Sequence, residues 1–266
     1  MILAVDCGNT HITFGCIGND GNAAAVYRIP TDRAETEYGY AAKMGQILAL
    51  GGITPDAIRG AALSCVVPPL APVLRGAVRV LTGLDTVTVG AGIRTGLHIR
   101  VNDPGTVAPD LVAAAVAVRE TYPLPAVIVD LGTATTLTVV DEKGAFIGGA
   151  ILPGAGISAH ALAESAALLP QVEIGKPRNV IASDTADCMR SGILYGSAGA
   201  IDGLIDRFTA EIGQEPASVI ATGGLASLIC PYCRHTITVD EQLLLRGLAI
   251  IWKRNRNHDG GEGTAR

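Results

Sequence analysis

Residues 3–9 read LAVDCGN, and residues 127–133 read VIVDLGT. Each stretch is an apolar strand pattern that ends in aspartate, one apolar or small residue, glycine, and then asparagine or threonine. The two aspartates, Asp6 and Asp130, are separated by nearly half of the 266-residue chain. After each of them come a second extended stretch, a turn that contains glycine or aspartate, and a third extended stretch. The sequence therefore predicts a three-stranded meander that is used twice.

Helical patterns alternate with short apolar stretches beyond each meander. The predicted helices lie at 35–50, 72–81, 111–122, 158–169, 184–212, from 225, and at 241–255, and the predicted strands between them lie at 61–67, 86–89, 219–221 and 236–239. Alternating strands and helices indicate the α/β class, with a mostly parallel or mixed sheet and helices on its faces. Two similar halves predict a ligand cleft between them.

Composition excludes several classes of function. The chain is 48% apolar and only 17% charged, which is typical of a packed protein rather than a disordered one. Its net charge of −5 and the scatter of its basic residues argue against a nucleic-acid surface. The longest apolar run, 111–118, is far shorter than the roughly 18 residues that a membrane span needs.

The cellular compartment is predicted from the N-terminus and the cysteines. The first residues, MILAVD, enter a strand pattern at once and show no signal peptide, so we expect a cytoplasmic protein. The six cysteines are scattered through apolar or glycine-rich segments, which is typical of buried free thiols in a reducing compartment. They are Cys7, Cys16, Cys65, Cys188, Cys230 and Cys233.

The Asp-x-Gly turns carry the chemistry of a phosphate site. Glycine lets backbone N–H groups approach a phosphate, and a carboxylate at the strand end holds a cation that neutralises its charge. A single such turn is equally well explained as plain structure, whereas two in matching places favour a phosphate site. A third turn, Gly223-Gly224, follows a strand and opens a helix, which suits either the nucleotide base or ribose or a plain strand-to-helix turn.

These segments resemble the nucleotide motifs of type III pantothenate kinases, a family of the actin-like ATPase and sugar kinase superfamily. The motifs are DCGNT at 6–10, DLGTATT at 130–136 and ATGGLA at 221–226, and further matching strings are RI-x-T at 28–31, SCVVP at 64–68, GGAILPG at 148–154, LP-x-VEI at 169–174, MRSGI at 189–193 and IDG at 201–203. The resemblance implies a duplicated actin-like ATPase fold of the ribonuclease H-like type, with two halves around a nucleotide cleft. We expect these halves at 1–118 and 119–256, followed by a disordered polar tail at 257–266.

The resemblance also implies a reaction and its partners. Members of the family phosphorylate the primary hydroxyl of pantothenate with ATP, giving 4'-phosphopantothenate, the first step towards coenzyme A. They use Mg²⁺ and a monovalent cation, K⁺ or NH₄⁺, and they form dimers with the pantothenate pocket at the subunit interface.

Site residues follow from the same resemblance, position by position. The first phosphate loop would consist of Asp6, Cys7, Gly8, Asn9, Thr10, His11, Ile12 and Thr13, with Mg²⁺ held near Asp6 through water. Asp130 would bind the monovalent cation, Thr133 and the Gly223-Gly224 turn would contact ATP, and Thr185 would contact pantothenate. Asp110 aligns with the catalytic base of the family, the carboxylate that takes the proton from the attacking hydroxyl.

The acceptor segment departs from the family pattern. Where the family has glycine, alanine, aspartate and arginine in sequence, this chain has Ala108, Pro109, Asp110 and Leu111, and Val101 stands where an aromatic residue often occurs. Leucine cannot replace an arginine that pairs with the pantothenate carboxylate.

Three hypotheses remain open at this point. The chain is a pantothenate kinase with a relocated carboxylate contact from Arg100 or Arg190, or a subunit whose paralogous partner supplies the arginine, or a non-catalytic nucleotide-binding homologue with a regulatory role.

The sequence at 230–233, CPYC, spells a redox motif of glutaredoxins. Together with His235 it also offers half of a zinc site, but no second pair with ligand spacing follows. The motif ends a predicted helix instead of opening one, so we favour two structural thiols.

Overall fold

The computed structural model describes residues 1–256, which form two compact units. Unit 1 contains Met1–His98, Asn102–Glu120 and the segment that begins at Gln242, and unit 2 contains Ile99–Val101 and Thr121–Glu241. The last helix of the described chain thus belongs to unit 1. The division at residue 118 stays a prediction, and the tail predicted at 257–266 lies outside the described residues.

Regular elements follow the predicted order along the chain. The strands are β1 (Ile2–Cys7), β2 (His11–Ile17), β3 (Ala23–Pro30), β4 (Gly60–Cys65), β5 (Thr86–Thr88), β6 (His98–Ile99), β7 (Ala126–Leu131), β8 (Ala134–Val140), β9 (Ala145–Pro153), β10 (Ser218–Thr222) and β11 (Thr238–Val239). The α-helices are α1 (Glu37–Leu50), α2 (Leu70–Thr82), α3 (Pro109–Thr121), α4 (Ala155–Ser165), α5 (Thr185–Ile212), α6 (Ala226–Ile229) and α7 (Leu243–Asn255). Short 3₁₀ turns lie at Pro55–Ala57, Pro104–Thr106 and Cys230–Tyr232.

The sheet of unit 1 has the strand order β3-β2-β1-β4-β5. Strands β1, β2 and β3 form an antiparallel meander, and β4 and β5 run parallel to β1. Four consecutive residues of β1 (residues 2–5) and five of β4 (residues 60–64) are buried, because helices cover both faces of these central strands.

Local signals set the helix ends in unit 1. Helix α1 begins after Thr36, whose side chain accepts a hydrogen bond from the Gly39 N–H, and α2 ends at Gly83 in the left-handed conformation with φ +72°. Helix α7 packs tightly against α3, since a Cβ on Gly247 would lie 1.9 Å from the Ala113 carbonyl oxygen.

The sheet of unit 2 has the order β11-β10-β7-β8-β9-β6. Strands β7, β8 and β9 are an antiparallel meander, and β10 and β11 run parallel to β7. This is the arrangement of unit 1 with β6 added beside β9, so the predicted duplicated α/β fold is confirmed.

Two features of the structure differ from the sequence analysis. The two-residue strand β6 was not predicted, because two residues are too few to show a period. The expectation of buried thiols is wrong for Cys188, which is exposed near the start of α5. None of the helices within residues 1–256 combines the length and apolar character that a membrane span requires.

Candidate functional site

Asp6 of unit 1 lies between two hydroxyl side chains. It is paired in register with Thr13 of β2 and with Ser64 of β4, so the three side chains share one face of the sheet. Ser64 is fully buried, and its hydroxyl has no hydrogen-bond partner among residues 1–256. A carboxylate and two hydroxyls therefore meet where β1 and β4 end. Ser64 belongs to the matched string SCVVP, but the sequence analysis gave it no role.

The turn after Asp6 is a tight loop between β1 and β2. The Gly8 N–H donates to the His11 carbonyl at 2.9 Å, and the Thr31 hydroxyl donates to the Gly8 carbonyl at 2.8 Å. A Cβ on Gly8 would lie 3.1 Å from the His11 carbonyl oxygen, and this close approach explains why glycine occupies the position. Asn9, Thr10 and His11 are exposed and open to a ligand.

Two predicted residues of this loop face the core instead of the solvent. The side chains of Cys7 and Ile12 are both fully buried. Only their backbone atoms are therefore available to a nucleotide, whereas Thr13 is half-buried beside Asp6.

Asp110 lies in the first turn of α3 in unit 1. Its Oδ1 accepts the N–H of Leu111 at 2.8 Å, and the Ala108 carbonyl accepts the N–H of Val112 at 3.1 Å. Burial raises the pKa of the Asp110 carboxyl, and the backbone hydrogen bonds offset part of that effect. A raised pKa makes the carboxylate a better proton acceptor, which suits a general base. Leu111 and Pro109 are half-buried next to it.

Unit 2 repeats the arrangement around Asp6. Asp130 is paired in register with Thr136 of β8 and with Thr222 of β10, so a carboxylate again lies between two hydroxyl side chains. Thr133, in the turn that follows, is exposed. The two predicted phosphate turns thus have matching surroundings in the two units.

The turn at Gly223 lies directly beside Asp130. Gly223 has φ +94°, and a Cβ there would lie 2.6 Å from the Leu131 carbonyl oxygen and 2.7 Å from Asp130 Oδ1. Glycine is therefore required by contact with the end of β7. Gly224 is exposed and remains available to a ligand.

A cavity of about 550 Å³ opens within unit 2. Its polar lining includes Thr185, the exposed first residue of α5, together with Thr135 and Ser158. Apart from Ser197, the remaining lining is apolar or small: Leu152, Pro153, Leu162, Leu169, Cys188, Met189, Gly192, Ile193, Gly196, Ala200 and Ile201. Sequence analysis found Thr185 but missed Thr135, although Thr135 belongs to the matched string at 130–136.

Val101 lies elsewhere in unit 2. It follows β6, and its Cγ1 is 3.9 Å from the position of a Cβ on Gly148 in β9. Val101 is not among the residues that line the cavity.

Both arginines considered for the substrate carboxylate already have acidic partners. Arg100 Nη1 is 3.0 Å from Asp141 Oδ2, and Arg190 Nη1 donates to Asp187 Oδ1 at 2.8 Å. Arg178 Nε also donates to Asp187, at 2.7 Å. Arg178 and then Arg190 lower the pKa of Asp187 to about 2. A relocated carboxylate contact would therefore compete with an existing ion pair.

The residues fit hard cations only in part. Within residues 1–256, no group of three or more His, Cys, Asp or Glu side chains could hold a metal ion. Mg²⁺ usually keeps several waters and needs only one or two carboxylates beside the substrate phosphates, so Asp6 alone suits it. Asp130 with its threonine neighbours offers the oxygen ligands that a monovalent cation takes.

The two thiols of the CPYC sequence lie in surroundings that are typical of structural cysteines. Burial raises the pKa of Cys230 to about 11 and that of Cys233 to about 12, so both stay protonated near pH 7. His235 Nε2 lies 2.7 Å from Asp206 Oδ1. Neither thiol therefore has the lowered pKa that is typical of a cysteine active in thiol–disulfide exchange.

Two units of one topology, each with an aspartate between hydroxyls at the end of its first strand, have the duplicated architecture of the actin-like ATPase fold. The family model for type III pantothenate kinase matches residues 2–207. Type III pantothenate kinases of Moorella thermoacetica and Geobacter sulfurreducens are both 41% identical to the chain, over 96% of its length and 100% of theirs. The chain belongs to the type III pantothenate kinase family.

Solved structures with low sequence identity share the fold. An activator of 2-hydroxyisocaproyl-CoA dehydratase from Clostridium difficile, with bound ADPNP, has a TM-score of 0.59 at 12% identity and covers 100% of this chain and 98% of its own. Component A of (R)-2-hydroxyglutaryl-CoA dehydratase from Acidaminococcus fermentans has a TM-score of 0.57 at 13% identity, over 95% and 97%.

Proposed function

We propose that the chain transfers a phosphoryl group from ATP to the primary hydroxyl of pantothenate, the first step towards coenzyme A, in the cytoplasm. The observation that carries this proposal is 41% identity to curated type III pantothenate kinases over their whole length. The six free thiols suit the reducing compartment that the proposal assumes.

For each requirement of phosphoryl transfer, the chain has a residue that would meet it. Phosphoryl transfer depends mainly on positioning and on neutralising charge. The exposed loop after Asp6 would bind phosphate through its backbone, and Thr133 and Gly224 would contact ATP in unit 2. When bound, Mg²⁺ near Asp6 and K⁺ or NH₄⁺ at Asp130 would neutralise the phosphate charge.

Asp110 would accept the proton of the attacking hydroxyl. The burial that raises its pKa supports this role, because a carboxylate with a pKa closer to neutrality removes a proton more effectively. Thr185 would contact pantothenate from the lining of the unit 2 cavity. Pro109, Ala108, Leu111 and Val101 would then be the altered surroundings of the acceptor.

Leu111 favours a second candidate function. Because the family arginine is absent here and Arg100 and Arg190 are both ion-paired, the chain would then be one subunit of a heteromeric kinase whose paralogous partner supplies the arginine. A non-catalytic homologue remains the third hypothesis, and the 41% identity to type III pantothenate kinases over their whole length argues against it.

Unit 2 also supports a homodimer, the state that the resemblance to the family implies for this chain. Six large apolar side chains are exposed between residues 151 and 181 of this unit, and clustered exposed apolar side chains mark protein contact surfaces. They are Ile151, Ile157, Leu162, Leu168, Val180 and Ile181. We propose that a second copy of the chain covers them.

The test is product analysis with the purified chain. With ATP, Mg²⁺ and K⁺, wild-type protein should convert pantothenate into a product heavier by one phosphoryl group, and Asp110→Asn should not, while its ATP affinity is kept. Activity only after addition of a paralogous chain would favour the heteromer. ATP binding without product in either case would favour the non-catalytic homologue.

A further inference from the structure

Two cysteines end neighbouring strands at the first phosphate loop. Cys7 is the last residue of β1 and Cys65 the last residue of β4, and they are direct register partners in a parallel pair. Neighbouring strands lie about 4.7–4.9 Å apart, and paired residues project to the same face. That spacing falls within the Cα separation of about 4.4–6.8 Å at which disulfides form.

The two thiols are already in contact. A hydrogen bond from the Cys7 thiol to Cys65 lowers the pKa of Cys65. Cys65 Sγ also lies 3.2 Å from the Val67 carbonyl oxygen. Cys7 is fully buried, whereas Cys65 is only half-buried. Cys65 therefore has both the thiolate character and the access that an oxidant requires.

We propose that Cys7 and Cys65 form a reversible disulfide that switches the first phosphate loop between a binding and a non-binding state. This regulatory role rests on the proposed function, while the disulfide itself does not. The oxidant is a peroxide. It oxidises the Cys65 thiol to a sulfenic acid and leaves as water. The Cys7 thiol then attacks that sulfur, a second water leaves, and the S–S bond has formed. A dithiol reverses the reaction by exchange.

The turn of the first phosphate loop follows Cys7 directly in the chain. The next residue, Gly8, holds the turn through its N–H to His11 and through its carbonyl, which accepts the Thr31 hydroxyl. A disulfide needs its two Cβ atoms about 3.5–4.5 Å apart, which is shorter than the usual Cβ–Cβ distance between paired strand residues. The ends of β1 and β4 must therefore move towards each other when the bond forms. That movement would displace the Gly8 turn and weaken ATP binding.

The other thiols offer a contrast within the same chain. Burial raises the pKa of Cys16 to about 11, and Cys16 is paired in register with Leu3. Cys188 is exposed, and its Sγ lies 3.4 Å from the Ala182 carbonyl oxygen. Cys188→Ser is therefore a matched control that removes the most accessible thiol.

The experiment uses the full chain oxidised with an equimolar amount of hydrogen peroxide. Unreduced tryptic digests should contain peptide 1–28 linked to peptide 60–75. Because peptide 1–28 holds both Cys7 and Cys16, tandem mass spectrometry must place the bond at Cys7. ATP affinity, measured by calorimetry, should fall at least about fivefold on oxidation and recover with dithiothreitol.

Variants separate the disulfide from general damage. Cys65→Ser should keep the ATP affinity of the reduced wild type and lose its response to peroxide, and Cys188→Ser should respond as wild type does. A bond at Cys16, sulfinic acid at Cys65 without a cross-link, or a disulfide that leaves ATP affinity unchanged would overturn the proposal. Absence of pantothenate-dependent turnover in the reduced chain would overturn the proposed function alone.

Discussion

Asp110 shows how the position of a single side chain sets its chemistry. It stands in the first turn of α3, where burial raises its pKa although a backbone N–H binds Oδ1. An unperturbed aspartate has a pKa near 3.9, so this carboxyl gains its proton at a higher pH than usual. A general base must be deprotonated to act.

The acidic limb of the pH profile should therefore belong to Asp110. We expect kcat/KM to fall as the pH drops through the raised pKa, because the protonated carboxyl cannot accept the hydroxyl proton. Asp110→Asn should lower kcat by about 10²–10⁴-fold and remove this limb. The exposed Asp56 offers a control, and Asp56→Asn should leave the profile unchanged. An unaltered limb in Asp110→Asn would contradict the assignment.

Leu111 permits a test of the lost arginine. Leu111→Arg should increase the affinity for pantothenate about tenfold or more, because a charge-assisted pair with the carboxylate is worth roughly 1.5–3 kcal/mol. Calorimetric titration with pantothenate measures this, and Leu111→Met is the control for side-chain length. Equal affinities in the two variants would show that the carboxylate is bound elsewhere.

For single residues, the sequence predicted the position at a strand end or helix start better than it predicted burial and neighbouring side chains. Asp6, Asp130 and Asp110 stand where the motifs indicated, because strand ends and helix starts are local features. The burial of Cys7 and Ile12 and the buried hydroxyl of Ser64 depend on which strand lies next to which, which a local pattern does not contain.

Elements were predictable where a period extends over enough residues. Helix α1 has the expected ends to within two residues, and the side chain of Thr36 caps its first turn. Helix α4 ends at Ser165, earlier than predicted, although apolar residues continue beyond it. Leu168 in that continuation is exposed, so a period alone did not indicate burial.

The turn between β10 and α6 gives a prediction at the scale of elements. Gly223→Ala should lower the free energy of unfolding by about 3 kcal/mol and weaken ATP binding, because the added Cβ would overlap Leu131 and Asp130. Gly213→Ala is the matched control, with φ +78° and no atom within 4 Å of the added Cβ. It should lower stability by about 1–2 kcal/mol and leave ATP affinity unchanged.

Denaturant unfolding and ATP calorimetry of both variants provide the measurement. If Gly223→Ala bound ATP as tightly as Gly213→Ala, the turn would be a plain connection and not part of the nucleotide site.

For the whole molecule, the duplication was visible in the sequence, because two copies of one motif stood nearly half a chain apart. The assignment of α7 to unit 1 was not visible in the sequence, because the amphipathic pattern of a helix does not specify which sheet the helix covers. The exposed apolar residues of unit 2 were also unforeseen, because exposure is a property of the completed fold.

The proposed homodimer can be tested on that surface. Ile181 is 92% exposed in unit 2, and Leu50 is 89% exposed in unit 1. Ile181→Glu should convert the dimer to a monomer, because a carboxylate cannot be buried unpaired in an apolar interface. Leu50→Glu should leave the dimer intact. Sedimentation at micromolar concentration distinguishes the species, and an intact dimer in Ile181→Glu would place the interface elsewhere.

The central claim is that this chain alone is a pantothenate kinase, and a coupled ADP-release assay on the purified protein tests it most directly. The assay is run with and without pantothenate, in potassium and in sodium. The account predicts ADP release that requires pantothenate and is faster in potassium, even though Leu111 replaces the family arginine. ATP binding without pantothenate-dependent ADP release in either salt would contradict it.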